Sequence, residues 1–275
     1  MGNTIPFITE DLTMKVNQIP FQTKRGNMTI RGIAYRRADN VCTKLVPVVI
    51  CHGFTSDQTR TAPYAEFLAE HGFAAYTFDF IGGGFNTISD GTMEEMTVLT
   101  EVEDLKCVIA YLKTQPAIDM KKLVLMGCSQ GGFVSGLTAA DLQEEIDRLV
   151  MIYPALCIPD DARKGSMQIL KFDPDNVPEI LEAGRLRLSG EYAKSVMNMD
   201  AIKEVTRYNG SVLIVHGDAD EIVPYHYAED AFRAYSEKDA DQDVQLVRIP
   251  GAPHGFGGQD LEIACDAVLE FLQEE

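Results

Sequence analysis

At 275 residues, 45% of them apolar, the chain is long enough for one large α/β domain with an insertion, or for two smaller domains, around a full core. A formal net charge of −18 argues against nucleic acid and anionic membrane as partners, since both need a basic footprint, and reads as a solubility device. No run approaches the roughly 18 continuous apolar residues of a membrane helix, and six scattered cysteines (Cys42, Cys51, Cys107, Cys128, Cys157, Cys265) without a C-x-x-C pair point to no disulfide framework.

The N-terminus, Met1 to Pro6, has neither a basic n-region nor an apolar h-region, so no signal peptide is read there and a cytoplasmic location is expected. Pro6 stands where an N-myristoylation motif needs Ser or Thr. Residues 14–19 and 28–35 alternate as two strands around the turn Arg25-Gly26-Asn27. The continuous apolar run at 47–51 predicts a buried parallel strand. A helix follows over 64–71, stopped by Gly72, and then a strand over 74–78. Residues 96–113 carry apolar side chains at helical spacing. Strands are predicted near 123–126, at 149–153, at 212–215 and at 244–249, with helices over 228–235 and 261–272. This alternation predicts an α/β fold with a mostly parallel, eight-stranded sheet flanked by helices. Residues 155–209 break the rhythm. A stretch this long inside a compact domain is more often a lid than plain loop, and this one follows a strand's C-terminal end, where such sheets place ligand sites. The expected organisation is a core from 1–154, a lid insertion between strands six and seven over 155–209, and a second core part from 210–275.

Gly127-Cys128-Ser129-Gln130-Gly131 lies between the apolar run Leu123 to Met126 and a small-residue helix start. A G-x-S-x-G between strand and helix is the nucleophile elbow of α/β-hydrolases, in which a strained turn aims the serine hydroxyl over the sheet edge. His52-Gly53-Phe54, at the end of the 47–51 strand, stands where such a fold supplies its second oxyanion donor. The donors are assigned to the backbone N–H groups of Phe54 and Gln130. His52 itself reads as an orienting imidazole, with a second base as the alternative. After the 212–215 strand comes His216-Gly217-Asp218-Ala219-Asp220, two aspartates competing for the acid that the order Ser…Asp…His requires. Asp220 is favoured from its spacing to Val223-Pro224, and Asp218 reads as a turn former. His254, in Gly251-Ala252-Pro253-His254-Gly255, falls where the base must. The expected chemistry is nucleophilic attack by Ser129, proton transfer by His254 and orientation of the imidazole by Asp220. No H-x-x-x-H or Cys/His cluster is present, so no metal or cofactor is expected.

These motifs, together with His52-Gly53-Phe54-Thr55-Ser56-Asp57 and the stretch His71 to Phe80, make the chain similar to the bacterial cinnamoyl (feruloyl) esterases of the α/β-hydrolase superfamily. The resemblance implies hydrolysis of hydroxycinnamate esters through an acyl-enzyme. It also implies a small lid whose polar residues bind the substrate's phenolic hydroxyl. Asp160 to Gln168 and Ser189 to Tyr192 resemble the family's two lid segments. The carry-over puts Asp161 and Tyr192 at the phenol end and closes Gln168 over the bound chain. Two departures stand out. Cys128 occupies a position that is commonly His, with an effect expected on packing. Gly82-Gly83-Gly84 replaces a Gly-His-Gly turn, with added flexibility expected. Within enzymes the rival is a promiscuous short-chain esterase or lipase. From another class comes a ligand-binding receptor on a retained hydrolase scaffold. Ser129 argues against dehalogenases and epoxide hydrolases, which carry Asp at the elbow. A small-molecule ester is the expected partner, and a homodimer stays open. Met197 and Met199 have two open destinations, the core or a partner subunit.

Overall fold

The computed structural model describes residues 15–39 and 44–274. Met14, Cys42 and the stretch read for a leader lie outside the described residues.

The chain opens with a hairpin, β1 (Val16–Arg25) and β2 (Met28–Arg37), turning at Gly26 with φ of +59°. β1 runs to Arg25, not to the expected 19. Its second half carries Pro20, Gln22 and Lys24 and lacks an apolar stripe of its own; pairing with β2 along its whole length holds it. Next come β3 (Pro47–Cys51), α1 (Ala62–Glu70), β4 (Ala74–Phe78), α2 (Val98–Leu112) and β5 (Val124–Cys128). All three strands are buried at every position, as strands covered on both faces must be. Thr97 caps α2, its hydroxyl accepting from the Thr100 N–H at 3.0 Å. α3 (Gln130–Asp141) and β6 (Arg148–Ile152) complete the first part of the sheet.

Between β6 and the next sheet strand the chain leaves the sheet. It forms α4 (Ile158–Arg163), a two-stranded hairpin of β7 (Ser166–Met167) and β8 (Leu170–Lys171), and a second one of β9 (Ile180–Ala183) and β10 (Leu186–Ser189). The short helices α5 (Glu191–Lys194) and α6 (Ala201–Val205) follow. Met197 and Met199 pack against the main core, and their carbonyls accept from the Arg163 guanidinium at 2.8 and 2.9 Å. β11 (Ser211–Gly217), α7 (His226–Lys238), β12 (Val244–Ile249) and α8 (Gln259–Gln273) end the described chain.

The eight long strands form one sheet in the order β1-β2-β4-β3-β5-β6-β11-β12. β1, β2 and β4 pair antiparallel, and every pair from β4 to β12 is parallel. This is the mostly parallel, eight-stranded α/β sheet expected from the sequence. Alternate side chains separate its two faces. Val49 and Cys51 join the core under α2, α3 and α7, while Val48 and Ile50 join the one under α1 and α8. The parallel strands all end on the side that holds Phe54, Ser129, Asp220 and His254, so four separate loops converge there. No helix among the described residues is long and apolar enough to cross a membrane.

Candidate active site

β5 ends at Cys128 and α3 starts at Gln130, leaving Ser129 alone in the turn at φ +55° and ψ −121°, a strained conformation for a residue with a side chain. The flanking glycines permit it. A Cβ on Gly127 would run into the Gly131 carbonyl, and one on Gly131 into the carbonyls of Cys51 and His52. The Ser129 N–H donates to the Ile152 carbonyl, and the Ser129 carbonyl accepts from Ala155, both at 2.9 Å. The turn is thereby tied to β6 and to the start of the segment that leaves the sheet.

Three predicted residues from distant parts of the chain meet here. His254 Nε2 lies 3.0 Å from Ser129 Oγ, and His254 Nδ1 lies 2.7 Å from Asp220 Oδ2. Asp220 is 8% exposed, and its other oxygen accepts the N–H groups of Ile222 and Val223 at 2.9 and 2.8 Å. Burial alone would raise this carboxyl. The hydrogen bonds from His216, His254 and Val223 outweigh burial and hold it well below the usual carboxylate range. Asp218 lies in the turn that follows β11. It pairs with Arg248 at 2.6 Å and accepts the Gly251 N–H, bracing the base of the His254 loop.

Phe54 and Gln130 present the two backbone N–H groups predicted as oxyanion donors. Among the described residues neither donates to a protein acceptor. The loop carrying Phe54 is set by His52, which is fully buried. Its Nδ1 donates to the Gly53 carbonyl at 2.8 Å, and its Nε2 accepts the Phe80 N–H at 3.2 Å. Burial lowers its pKa, and the neutral ring is an orienting group with no access to substrate. The Gly82-Gly83-Gly84 turn behind it corrects an expectation: it is packed, not pliant. A Cβ on Gly82 would strike the Thr92 carbonyl, and one on Gly84 the Ser56 carbonyl.

Two hollows flank Ser129. The inner one is a cleft of about 20 Å³, room for little more than a water, lined by Phe54, Gln130, Asp161, Gln168 and Tyr192 among others. Asp161 and Tyr192, expected at the phenol end, and Gln168, expected to close over the bound chain, therefore line the same cleft. Burial raises the Asp161 carboxyl. The Tyr192 hydroxyl donates to Gln130 Oε1 at 2.6 Å, and Gln130 Nε2 donates to buried Glu101 at 2.7 Å. The outer hollow is a cavity of about 440 Å³ that holds His254, Arg60, Tyr64 and Tyr153 in its wall. Cys128 lines it too, so this side chain does not merely pack away from the site as expected. Burial pushes its thiol up to about 12, which leaves it unreactive.

Three residues here escaped the sequence reading. His216 is fully buried, with Nε2 3.2 Å from Asp220 Oδ2 and 3.0 Å from the Val223 carbonyl. Both neighbours are acceptors, so Nε2 carries the proton. Its signal was its place four residues before Asp220, at a strand end. Tyr153, at φ +36°, holds its ring 4.7 Å from that of His254, tilted by 59°. Glu101 gave no signal beyond being an acid inside an apolar helix pattern.

Such an array supplies a hydroxyl beside a base, an acid behind the base and two free N–H donors. Residues 46–187 match the family described as serine aminopeptidase, S33 (Hydrolase_4). The chain belongs to this family. Its fold is that of Est1E from Butyrivibrio proteoclasticus, solved with ferulic acid bound: 29% identity, TM-score 0.82, covering 92% of this chain and 100% of that one. An uncharacterized 31.7 kDa Escherichia coli protein from the traX-finO intergenic region is 35% identical over 86 residues, 31% of this chain and 29% of that relative's length. The uncharacterized protein YfhR of Salmonella typhimurium is 23% identical over 247 residues, 87% of this chain and 74% of the relative.

Proposed function

We propose that the protein is a serine carboxylic ester hydrolase that cleaves hydroxycinnamate (feruloyl) esters through an acyl-enzyme on Ser129. One observation carries the chemistry: the unbroken run from Ser129 Oγ through the His254 ring to Asp220, at 3.0 and 2.7 Å. His254 takes the hydroxyl proton as Oγ attacks the ester carbonyl. The negative oxygen that develops is held by the Phe54 and Gln130 N–H groups, each donor of this kind lowering the barrier by about 3 kcal/mol. His254 then gives its proton to the departing alcohol oxygen, and the acyl group stays on Ser129. Water, deprotonated by His254, releases the acid. Asp220 fixes the tautomer and balances the imidazolium throughout.

The feruloyl preference is supported by the full-length likeness to Est1E, whose structure holds ferulic acid. Asp161, Gln168 and Tyr192 are the polar groups offered to a phenol in the inner cleft. Tyr192 donates its own proton to Gln130, so its oxygen is left to accept one from the substrate. Residues 155–209 act in this reading as the lid, which opens to admit the aromatic acyl group. A second reading, a short-chain acyl esterase, is favoured by the small volume of the cleft.

The test is kcat/KM for methyl ferulate against p-nitrophenyl butyrate, with Ser129→Ala as the blank. A ferulate preference that vanishes in the blank is expected. Fast butyrate turnover without ferulate turnover hands the site to the second reading. No ester hydrolysis at all overturns both.

A further inference from the structure

We infer that the outer cavity is a subsite for an alcohol half bearing a carboxylate, with Arg60 as the residue that selects it. The inference rests on ester hydrolysis at Ser129 and adds a substrate class to it.

Proton delivery fixes which hollow takes which half of the ester. The leaving oxygen must receive its proton from His254 Nε2, so the alcohol departs on the His254 side. His254 lines the outer cavity and is absent from the wall of the inner cleft, where Gln130 stands; Phe54 lines both. The acyl chain therefore points inward and the alcohol outward.

The outer wall has a distinct chemistry. Arg60 is its one formally charged side chain, and no carboxylate lines it, in a chain whose net charge is −18. Among the described residues the Arg60 guanidinium makes no ion pair and no side-chain hydrogen bond. The hydroxyls of Ser56, Thr59 and Tyr64 add polar surface, and that of Tyr64 is buried without a hydrogen-bond partner. Beside the apolar Pro63, Phe256 and Leu261, these groups offer an anchor for an anionic end.

The turn that carries Arg60 is held in place, with the exposed guanidinium left free for a ligand. Arg60 ends a short 3₁₀ turn whose first residue, Gln58, donates its N–H to buried Asp79 at 2.7 Å. Asp57 caps the same turn by accepting the Thr59 N–H at 3.0 Å, and the Arg60 N–H donates to the Asp57 carbonyl at 3.1 Å. The loop that presents the Phe54 N–H to the reacting carbonyl thus continues directly into the turn that presents Arg60. A guanidinium forks onto a carboxylate through two parallel N–H donors. One cation without a second beside it matches a monoanion; a phosphate dianion would leave charge uncompensated on an acidic protein.

The experiment uses two ester series with the acyl group fixed, one feruloyl and one butyryl. The alcohols are ω-hydroxy acids of graded length, each compared with its carboxamide. Wild-type protein is expected to prefer the acid over the amide by roughly tenfold in kcat/KM at the best length, equivalent to about 1.4 kcal/mol. That ratio should fall to near one in Arg60→Gln, persist in part in Arg60→Lys and invert in Arg60→Glu. High salt should erode it in the wild-type protein, a readout that needs no variant to fold. Equal rates for acid and amide in wild type, or a preference that survives Arg60→Gln, overturns the inference while leaving ester hydrolysis standing. If no ester is turned over, the reading of Ser129 falls and the subsite falls with it.

Discussion

The Tyr192 hydroxyl donates to Gln130 Oε1 at 2.6 Å, so the segment that leaves the sheet is bonded to the residue next to Ser129. Gln130 in turn donates to Glu101 on α2, and both Gln130 and Glu101 are almost fully buried. Tyr192→Phe leaves Gln130 Oε1 without its donor in a dry site, which should lower stability by about 1–3 kcal/mol. It also removes the oxygen offered to a substrate phenol. Butyrate hydrolysis is expected to fall a few-fold through the disturbed Gln130, and ferulate hydrolysis by roughly a further tenfold. Equal losses on both substrates would assign Tyr192 to positioning alone. Denaturant melts alongside kcat/KM for the two esters measure this.

Asp220→Asn should keep the fold and lose about 10⁴ in kcat, as expected when the base loses the acid that sets its tautomer. The same substitution bears on acid stability. Asp220 sits below its ordinary value in the folded protein, so the unfolded chain binds its proton first as pH falls. The carboxylate therefore stabilises the fold above its unfolded pKa, and that contribution is lost as pH drops through the folded value. Wild type should show a steeper loss of melting temperature toward acid than Asp220→Asn.

How far the sequence carries can be seen at single residues. β3 and β4 lie at the expected positions because largely apolar runs mark buried parallel strands without help from neighbours. β1 does not, because its outer half is held by a partner strand that no local pattern announces. Ser129, Asp220 and His254 were legible because each must follow a strand in a fixed order. His216 and Glu101 were not, since their roles come from contacts made only when β11 meets the Asp220 turn and α2 meets α3. The Gly82 turn misled for the same reason: the carbonyl that excludes a side chain there belongs to Thr92.

His216→Phe tests the second imidazole on the acid. Its Nε2–H bonds both Asp220 Oδ2 and the Val223 carbonyl, helping to keep the carboxylate charged and the turn closed. Phenylalanine fills the space without the donor. The expected result is a roughly tenfold fall in kcat with KM little changed, together with an acid limb of the pH–rate profile moved upward as Asp220 becomes easier to protonate. An unmoved acid limb would make His216 a packing residue only.

Asp104 gives an opposite dependence on pH. It is fully buried on α2, accepts the Ile81 N–H at 2.9 Å and has Arg25 Nε 2.7 Å from Oδ1, out of line for a hydrogen bond. Burial outweighs Arg25 and lifts the carboxyl to about 7. The folded protein therefore holds this proton more tightly than the unfolded chain does. The stability it contributes is complete below the unfolded pKa and is lost as pH rises through about 7. Asp104→Asn mimics the protonated form at every pH. Melting temperatures taken from pH 4 to pH 8 should show the wild type losing stability relative to the variant as pH rises, with most of the change complete by pH 7. A gap that is flat with pH, or one that widens toward acid, would mean that Arg25 holds the carboxylate charged across the whole range.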